Sequence, residues 1–378
     1  MITLTGQSTT NTNFQTPTVY NRPSCIIPNK RQLSTVNYDT TTSISDWTVF
    51  SSKFNRDSLF PRVKARFGLL LLICIILCFS STTTFAAEKP RNPKASALLT
   101  SMPQVDTVTV WSQSMHKPIK NVVILPATYN QQDTTRHWPV VYLLHGFRGR
   151  YDTWINKTQP ALPEAASRMG EIIVCPDGGF SSWYWDSPID STMRYETYIT
   201  QELIPAIDSL YQTRPSRKGR AITGYSMGGH GALYLALRHP SLFGACGSMS
   251  GGVALAPFPK NWDIEKRIGP CLENPQRWEE YSVMGQLWRA VPFNDRSREV
   301  AGLPSVDPSS ELQAGQLAIF IDCGTEDYFY NVNMRLHEEL LYRNVPHEFI
   351  IRPGRHTHNY WRHAVEFHLL FFRDFFNQ

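Results

Sequence analysis

The 378-residue sequence contains no CxxC pair and no cysteine–histidine cluster at zinc-ligand spacing. That removes the common structural-zinc and dithiol-redox frameworks. No basic stripe with interleaved aromatics is present. The net charge of +5 is mild, and part of it comes from Arg62, Lys64 and Arg66, so nucleic-acid binding has no electrostatic footprint. There is no internal repeat, and no apolar run reaches the roughly 20 residues that cross a bilayer comfortably. No residue pattern calls for a metal or an organic cofactor.

What is present divides the chain in two. Residues 67–79 form an apolar run, with Arg62, Lys64 and Arg66 before it and a small-residue end at Ala86-Ala87 after it. A basic flank, a short apolar run and a small-residue terminus are the three parts of a secretory signal, here over residues 61–87. An uncleaved anchor over 67–79 is the alternative reading. Residues 1–60 are rich in Ser, Thr and Asn without a sustained period. They read as disordered, or as an upstream segment translated from a misassigned start. The expected destination is outside the cytoplasm, in a periplasm or the extracellular space, with membrane contact only through the signal segment. Of the seven cysteines, Cys74 and Cys78 fall in the apolar run. Cys175, Cys246, Cys271 and Cys323 remain in the folded part, as one or two disulfides of an oxidising compartment or as buried thiols.

Residues 88–378 read as one folded domain. Strand patterns occur over 105–111, 121–125, 139–144, 171–175, 221–224, 243–249, 316–322 and 347–352. Helical patterns occur over 194–212, 229–238, 331–343 and 359–376. Runs such as Pro-Val-Val-Tyr-Leu-Leu at 139–144 suit strands buried on both faces. The alternation predicts an α/β fold with a mostly parallel sheet between two helical layers. Residues 251–315, with Trp262, Trp278 and Trp288 among several prolines, break the rhythm. They read as an excursion between two core strands that helps wall a site, or as a surface loop with some local core.

Gly224-Tyr225-Ser226-Met227-Gly228 stands between a strand pattern and a helix pattern, which is the setting of a nucleophile elbow. Glycines relieve crowding in so tight a turn, and the amide of Met227 at the helix start can face an oxyanion. A serine hydroxyl needs a base to take its proton and a carboxylate to orient that base. In this architecture they follow in the order acid, then histidine. Asp327 is the preferred acid; Asp322, nearer its strand, is read as fixing the loop and Glu326 as facing solvent. His356, after the turn-forming Pro353-Gly354, is the preferred base and His358 the second candidate. A second oxyanion amide is expected from Phe147, with His145 holding that loop or touching substrate.

Five motifs in order carry a resemblance: Leu143-Leu144-His145-Gly146, Ser182-Trp183-Tyr184, Gly224-Tyr225-Ser226-Met227-Gly228-Gly229, Gly324-Thr325-Glu326-Asp327 and Pro353-Gly354-Arg355-His356. Together they resemble the esterase family of α/β-hydrolases that includes tributyrin esterases, S-formylglutathione hydrolases, feruloyl and acetyl xylan esterases and mycolyltransferases, over residues 100–378. The resemblance implies an α/β-hydrolase fold without a large separate lid. It implies Ser226, Asp327 and His356 as the triad, Phe147 and Met227 as oxyanion donors, and His145, Trp183 and Tyr225 near the substrate. It departs from the family at His358, where an aromatic residue is usual.

The expected partner is a small-molecule or polysaccharide-linked ester, with no nucleic acid. Acyl transfer to a sugar, a thioesterase acting on S-formylglutathione and a non-catalytic binding module are the competing readings. The signal reading predicts that mass spectrometry of the native protein finds its amino terminus at residue 87 or 88. Peptides from residues 1–58 in the mature protein would overturn it.

Overall fold

The computed structural model describes residues 102–290 and 316–378. The expectations for residues 1–60, for the signal over 61–87 and for residues 291–315 of the excursion lie outside the described residues.

An eight-stranded sheet runs through the described chain in the order β1-β2-β4-β3-β5-β6-β7-β8. The strands are β1 (Gln104–Ser112), β2 (Lys117–Leu125), β3 (Val140–Leu144), β4 (Ile172–Pro176), β5 (Arg220–Gly224), β6 (Ala245–Met249), β7 (Ala318–Gly324) and β8 (Glu348–Arg352). From β4 through β3 to β8 every pairing is parallel. β1 and β2 form an antiparallel hairpin, and β2 also runs antiparallel to β4. β3, β4, β5 and β6 are buried at every position, which explains the unbroken apolar runs of β3 and β4; β5 and β6 bury Arg220, Thr223 and Ser248 as well. β1 exposes alternate residues, as a strand with one wet face does.

The pleat distributes side chains to two separate cores. Val140, Tyr142, Leu144, Ile172, Val174 and Ile222 point into one; Val141, Leu143, Ile173, Cys175 and Ala221 point into the other. The first core is covered by α2 (Tyr195–Thr197, continuing through Tyr198–Leu203 and Ile204–Leu210), α3 (Met227–Arg238) and α7 (Tyr330–Tyr342). The second is covered by α1 (Leu162–Met169) and α8 (His358–Phe376).

Three local features differ from the expectation. α1 was not visible in the sequence because only Leu162, Ala165 and Ala166 face the core, too few to set a period. Residues Tyr198–Leu203 of α2 widen into a π turn; Pro205 follows, and its missing N–H leaves the preceding turn without the usual bond. The excursion carries α4 (Ile264–Ile268), α5 (Pro275–Glu280) and α6 (Val283–Gln286). Ile264, Ile268, Trp278, Val283 and Leu287 join the first core, so this segment packs on the domain and adds to its core. Cys175, Cys246 and Cys323 are buried free thiols.

Two buried histidines fasten the layers. His230 on α3 accepts the Trp185 indole N–H at 2.9 Å and bonds the Gly252 carbonyl at 3.0 Å. His368 on α8 pairs with the Thr223 hydroxyl at 2.9 Å. Burial lowers both pKa values from 6.5 to about 3. Below pH 6.5 the unfolded chain takes up protons that these sites refuse until about pH 3, so stability present above pH 6.5 is lost as the pH falls through that window. The melting temperature is therefore expected to drop between pH 7 and pH 4.5. An unchanged melting temperature over that range would contradict the assignment of both rings as neutral.

Candidate active site

Because the strands from β3 to β8 run parallel, their carboxyl ends place His145, Asp177, Ser226, Ser250, Asp327 and His356 along one edge of the sheet, where ligand sites of such sheets form. The turn from β5 into α3 holds Ser226 at φ 58°, ψ −119°. A serine in that region carries roughly 1–3 kcal/mol of strain. Its amide donates to the Met249 carbonyl at 2.9 Å, and Gly228 closes the turn by donating to Tyr225 at 2.8 Å. A Cβ at Gly224 or at Gly228 would stand 2.5 Å from the Leu144 carbonyl oxygen. Both glycines are therefore required for α3 to start this close to β3.

Ser226 Oγ lies 2.8 Å from His356 Nε2. His356 Nδ1 lies 2.8 and 3.0 Å from the two oxygens of Asp327. The Asp327 side chain is fully buried and its partner's is nearly so. The Phe329 amide donates to Asp327 at 2.8 Å, fixing the carboxylate from behind. Asp322 is engaged elsewhere: it pairs with Arg352 and accepts the Tyr360 hydroxyl, tying β7, β8 and α8 together. Glu326 forms an exposed ion pair with Arg355 at 2.8 Å. His358 does not face Ser226. Its Nδ1 bonds the Thr158 hydroxyl at 2.9 Å, and burial, with Lys157 and Arg362 nearby, lowers its pKa to about 4.

Among the described residues no acceptor takes the amides of Phe147 or Met227, which leaves both donors available. The loop that carries Phe147 is clamped from three sides. Trp154 donates to the Leu144 carbonyl at 3.1 Å and Tyr184 to the His145 carbonyl at 3.0 Å. His145 Nε2 accepts from the Gly178 amide at 2.8 Å, so its Nδ1 carries the proton and donates to the Gly146 carbonyl at 2.8 Å.

This geometry separates the two readings of His145 and corrects two expectations. His145 has both ring nitrogens occupied and is 1% exposed; it holds the loop, the first of its two readings, and is not placed to bind substrate. Tyr225 is buried, stacked on Trp361 at 4.1 Å, with its ring packed under Gly146. Trp183 is buried too, stacked on Trp185 and donating to the Trp262 carbonyl at 3.1 Å. Sequence motifs do not separate a residue that lines a site from one that supports it. Trp154 and Thr158 were missed, since nothing in their surroundings marks them. Tyr328 was missed although it follows Asp327 directly.

The chemistry the arrangement suits is nucleophilic attack by Ser226. The His356 ring is within hydrogen-bond reach of the hydroxyl, and Asp327 holds the far side of that ring. The amides of Met227, at the start of α3, and of Phe147, in the loop after β3, are the donors such a reaction requires for an oxyanion.

Comparison with known proteins identifies the family and the fold. The esterase family ("Putative esterase") matches residues 112–372. An esterase of Mycobacterium tuberculosis is 34% identical over 136 residues, 35% of this chain and 29% of that protein. A diacylglycerol acyltransferase/mycolyltransferase of Mycobacterium leprae is 34% identical over 194 residues, 49% of this chain and 52% of that protein. The match thus spans about half or less of these relatives' own length. Among solved structures, a ferulic acid esterase superimposes with a TM-score of 0.58 at 26% identity, over 73% of this chain and 99% of that one. The solved neighbours identify the sheet as that of an α/β-hydrolase.

If His356 is the base, replacing it with Ala lowers the rate of Ser226 modification by a fluorophosphonate at least about a hundredfold, whereas His358→Ala stays within about tenfold of the parent. The reverse order would assign the base to His358.

Proposed function

Because this chain belongs to the esterase family, we propose that it is an exported serine esterase that hydrolyses carboxylic esters through an acyl-enzyme on Ser226. The observation that carries the reading is the hydrogen-bonded line from Ser226 Oγ through His356 to the buried Asp327. Ser226 attacks the ester carbonyl while His356 takes its proton. The oxyanion sits on the amides of Phe147 and Met227. His356 then gives the proton to the departing alcohol, and water, activated by the same ring, releases the acid.

Export rests on the signal pattern of residues 61–87. It directs the choice of substrate towards acetyl or feruloyl esters of polysaccharide, or short-chain esters, and away from S-formylglutathione, a cytosolic metabolite. The named ferulic acid esterase supports that choice. The acyltransferase/mycolyltransferase relative supports one further reading: a sugar hydroxyl replaces water in the second step, since both compete for one acyl-enzyme. A non-catalytic module is the least supported, because all three side chains of the line are present and aligned.

Ser226→Ala is expected to lower turnover of p-nitrophenyl butyrate at least about a thousandfold. Asp327→Asn is expected to be roughly ten- to a hundredfold less severe, since the carboxylate orients the base and takes no proton. Undiminished turnover by Ser226→Ala would end the proposal. Acetylated xylan, methyl ferulate and butyrate esters, each with and without a sugar acceptor, then identify the acyl group and its acceptor.

A further inference from the structure

Next to His356 stands an aromatic surface that hydrolysis itself does not require. Tyr328 packs on the imidazole with ring centroids 4.2 Å apart and stacks on Trp262 at 5.6 Å with an 18° interplanar angle. Phe329 supports both rings from below, at 4.8 Å from Tyr328 and 5.0 Å from Trp262. Phe329 is buried, whereas Tyr328 is 51% exposed. One layer of this stack therefore belongs to the core, and the next, Tyr328, is half exposed beside the base.

The position is held firmly. Tyr328 lies between Asp327, whose amide donates to the Gly324 carbonyl, and Phe329, whose amide donates to the Asp327 carboxylate. Trp262 and Asp263 both have left-handed backbones, at φ 50° and 58°, a costly conformation for a bulky residue. The Trp183 indole holds the Trp262 carbonyl at 3.1 Å. Two consecutive strained residues, clamped by a buried tryptophan, keep the Trp262 ring against Tyr328.

The chemistry of the site says which half of a substrate meets this face. His356 Nε2 must deliver its proton to the leaving alcohol, so the alcohol, not the acyl group, passes beside the ring packed on that imidazole. Tyr328 is half exposed and amphipathic, an aromatic ring with a hydroxyl. The exposed Arg355–Glu326 ion pair joins the residues that directly precede His356 and Asp327 in the chain, and its polar groups can meet hydroxyls. An aryl alcohol would favour an enclosed slot; a sugar ring offers one face of C–H groups to stack while its hydroxyls stay wet.

We infer that Tyr328, backed by Trp262, is the alcohol-side platform of this site and selects esters whose alcohol is a sugar ring. The inference rests on the esterase reading of Ser226 and His356. Its test compares two acetyl esters that differ only in the alcohol, acetylated xylo-oligosaccharide and ethyl acetate, in the full-length protein. The readout is the ratio of their kcat/KM values, because a disturbance of His356 lowers both alike. Tyr328→Ala is expected to lower the sugar-to-ethyl ratio about tenfold, Tyr328→Phe to preserve it, and Trp262→Ala, one ring further from His356, to lower it about threefold. An unchanged ratio in Tyr328→Ala and Trp262→Ala would overturn the platform while leaving the esterase reading intact. A parent protein that cleaves neither ester and takes no fluorophosphonate on Ser226 would overturn both.

Discussion

The carbonyl oxygen of Leu144, at the end of the third strand, is approached more closely than any side chain would permit. A Cβ on Gly224 or Gly228 would stand 2.5 Å from it, and the Trp154 indole donates to it at 3.1 Å. That crowding brings the helix after Ser226 against the loop after Leu144. It also sets the loop that carries Phe147 beside the serine, where a Cβ on Gly146 would stand 3.2 Å from the Ser226 Cβ. Hydrogen bonds to Met249 and within the turn hold the strained Ser226 backbone in place, so the strain is maintained by the sheet and is not relieved by local rearrangement.

Around this turn, polar groups fall into two sets. Those that face the hydroxyl form one aligned chain, from Ser226 through His356 to Asp327. Those that resemble it chemically are occupied elsewhere: Asp322 by Arg352 and Tyr360, His358 by Thr158, His145 by Gly146 and Gly178. Burial keeps His145 and His358 neutral by lowering their pKa values. These acids and bases thus serve as braces, and among the described residues His356 is the histidine hydrogen-bonded to Ser226.

Much of this was legible in the residues. The buried strands β3 and β4 show as unbroken apolar runs, and the order serine, acid, histidine follows from how strands alternate with helices. Asp322 was set apart from Asp327 by its nearness to the strand, and Glu326 was read as facing solvent, where it pairs with the exposed Arg355. Other features were not legible. Trp183 and Tyr225 belong to motifs, yet motif membership does not reveal burial, and both prove to be supports. α1 presents too few apolar residues to show a period. The Trp262–Tyr328 stack joins residues far apart in the chain, and nothing local to either marks the contact. The antiparallel edge of the sheet is likewise a matter of pairing, which periodicity within one strand does not encode.

The central claim is that acyl groups pass through Ser226. Rapid acid quenching of the protein with p-nitrophenyl acetate, followed by peptide mass mapping, tests it directly. The account predicts one acetyl group, on the peptide carrying Ser226, formed in step with the release of nitrophenol and absent in His356→Ala. Nitrophenol release with no acetyl on Ser226, or with the acetyl on another residue, would contradict it.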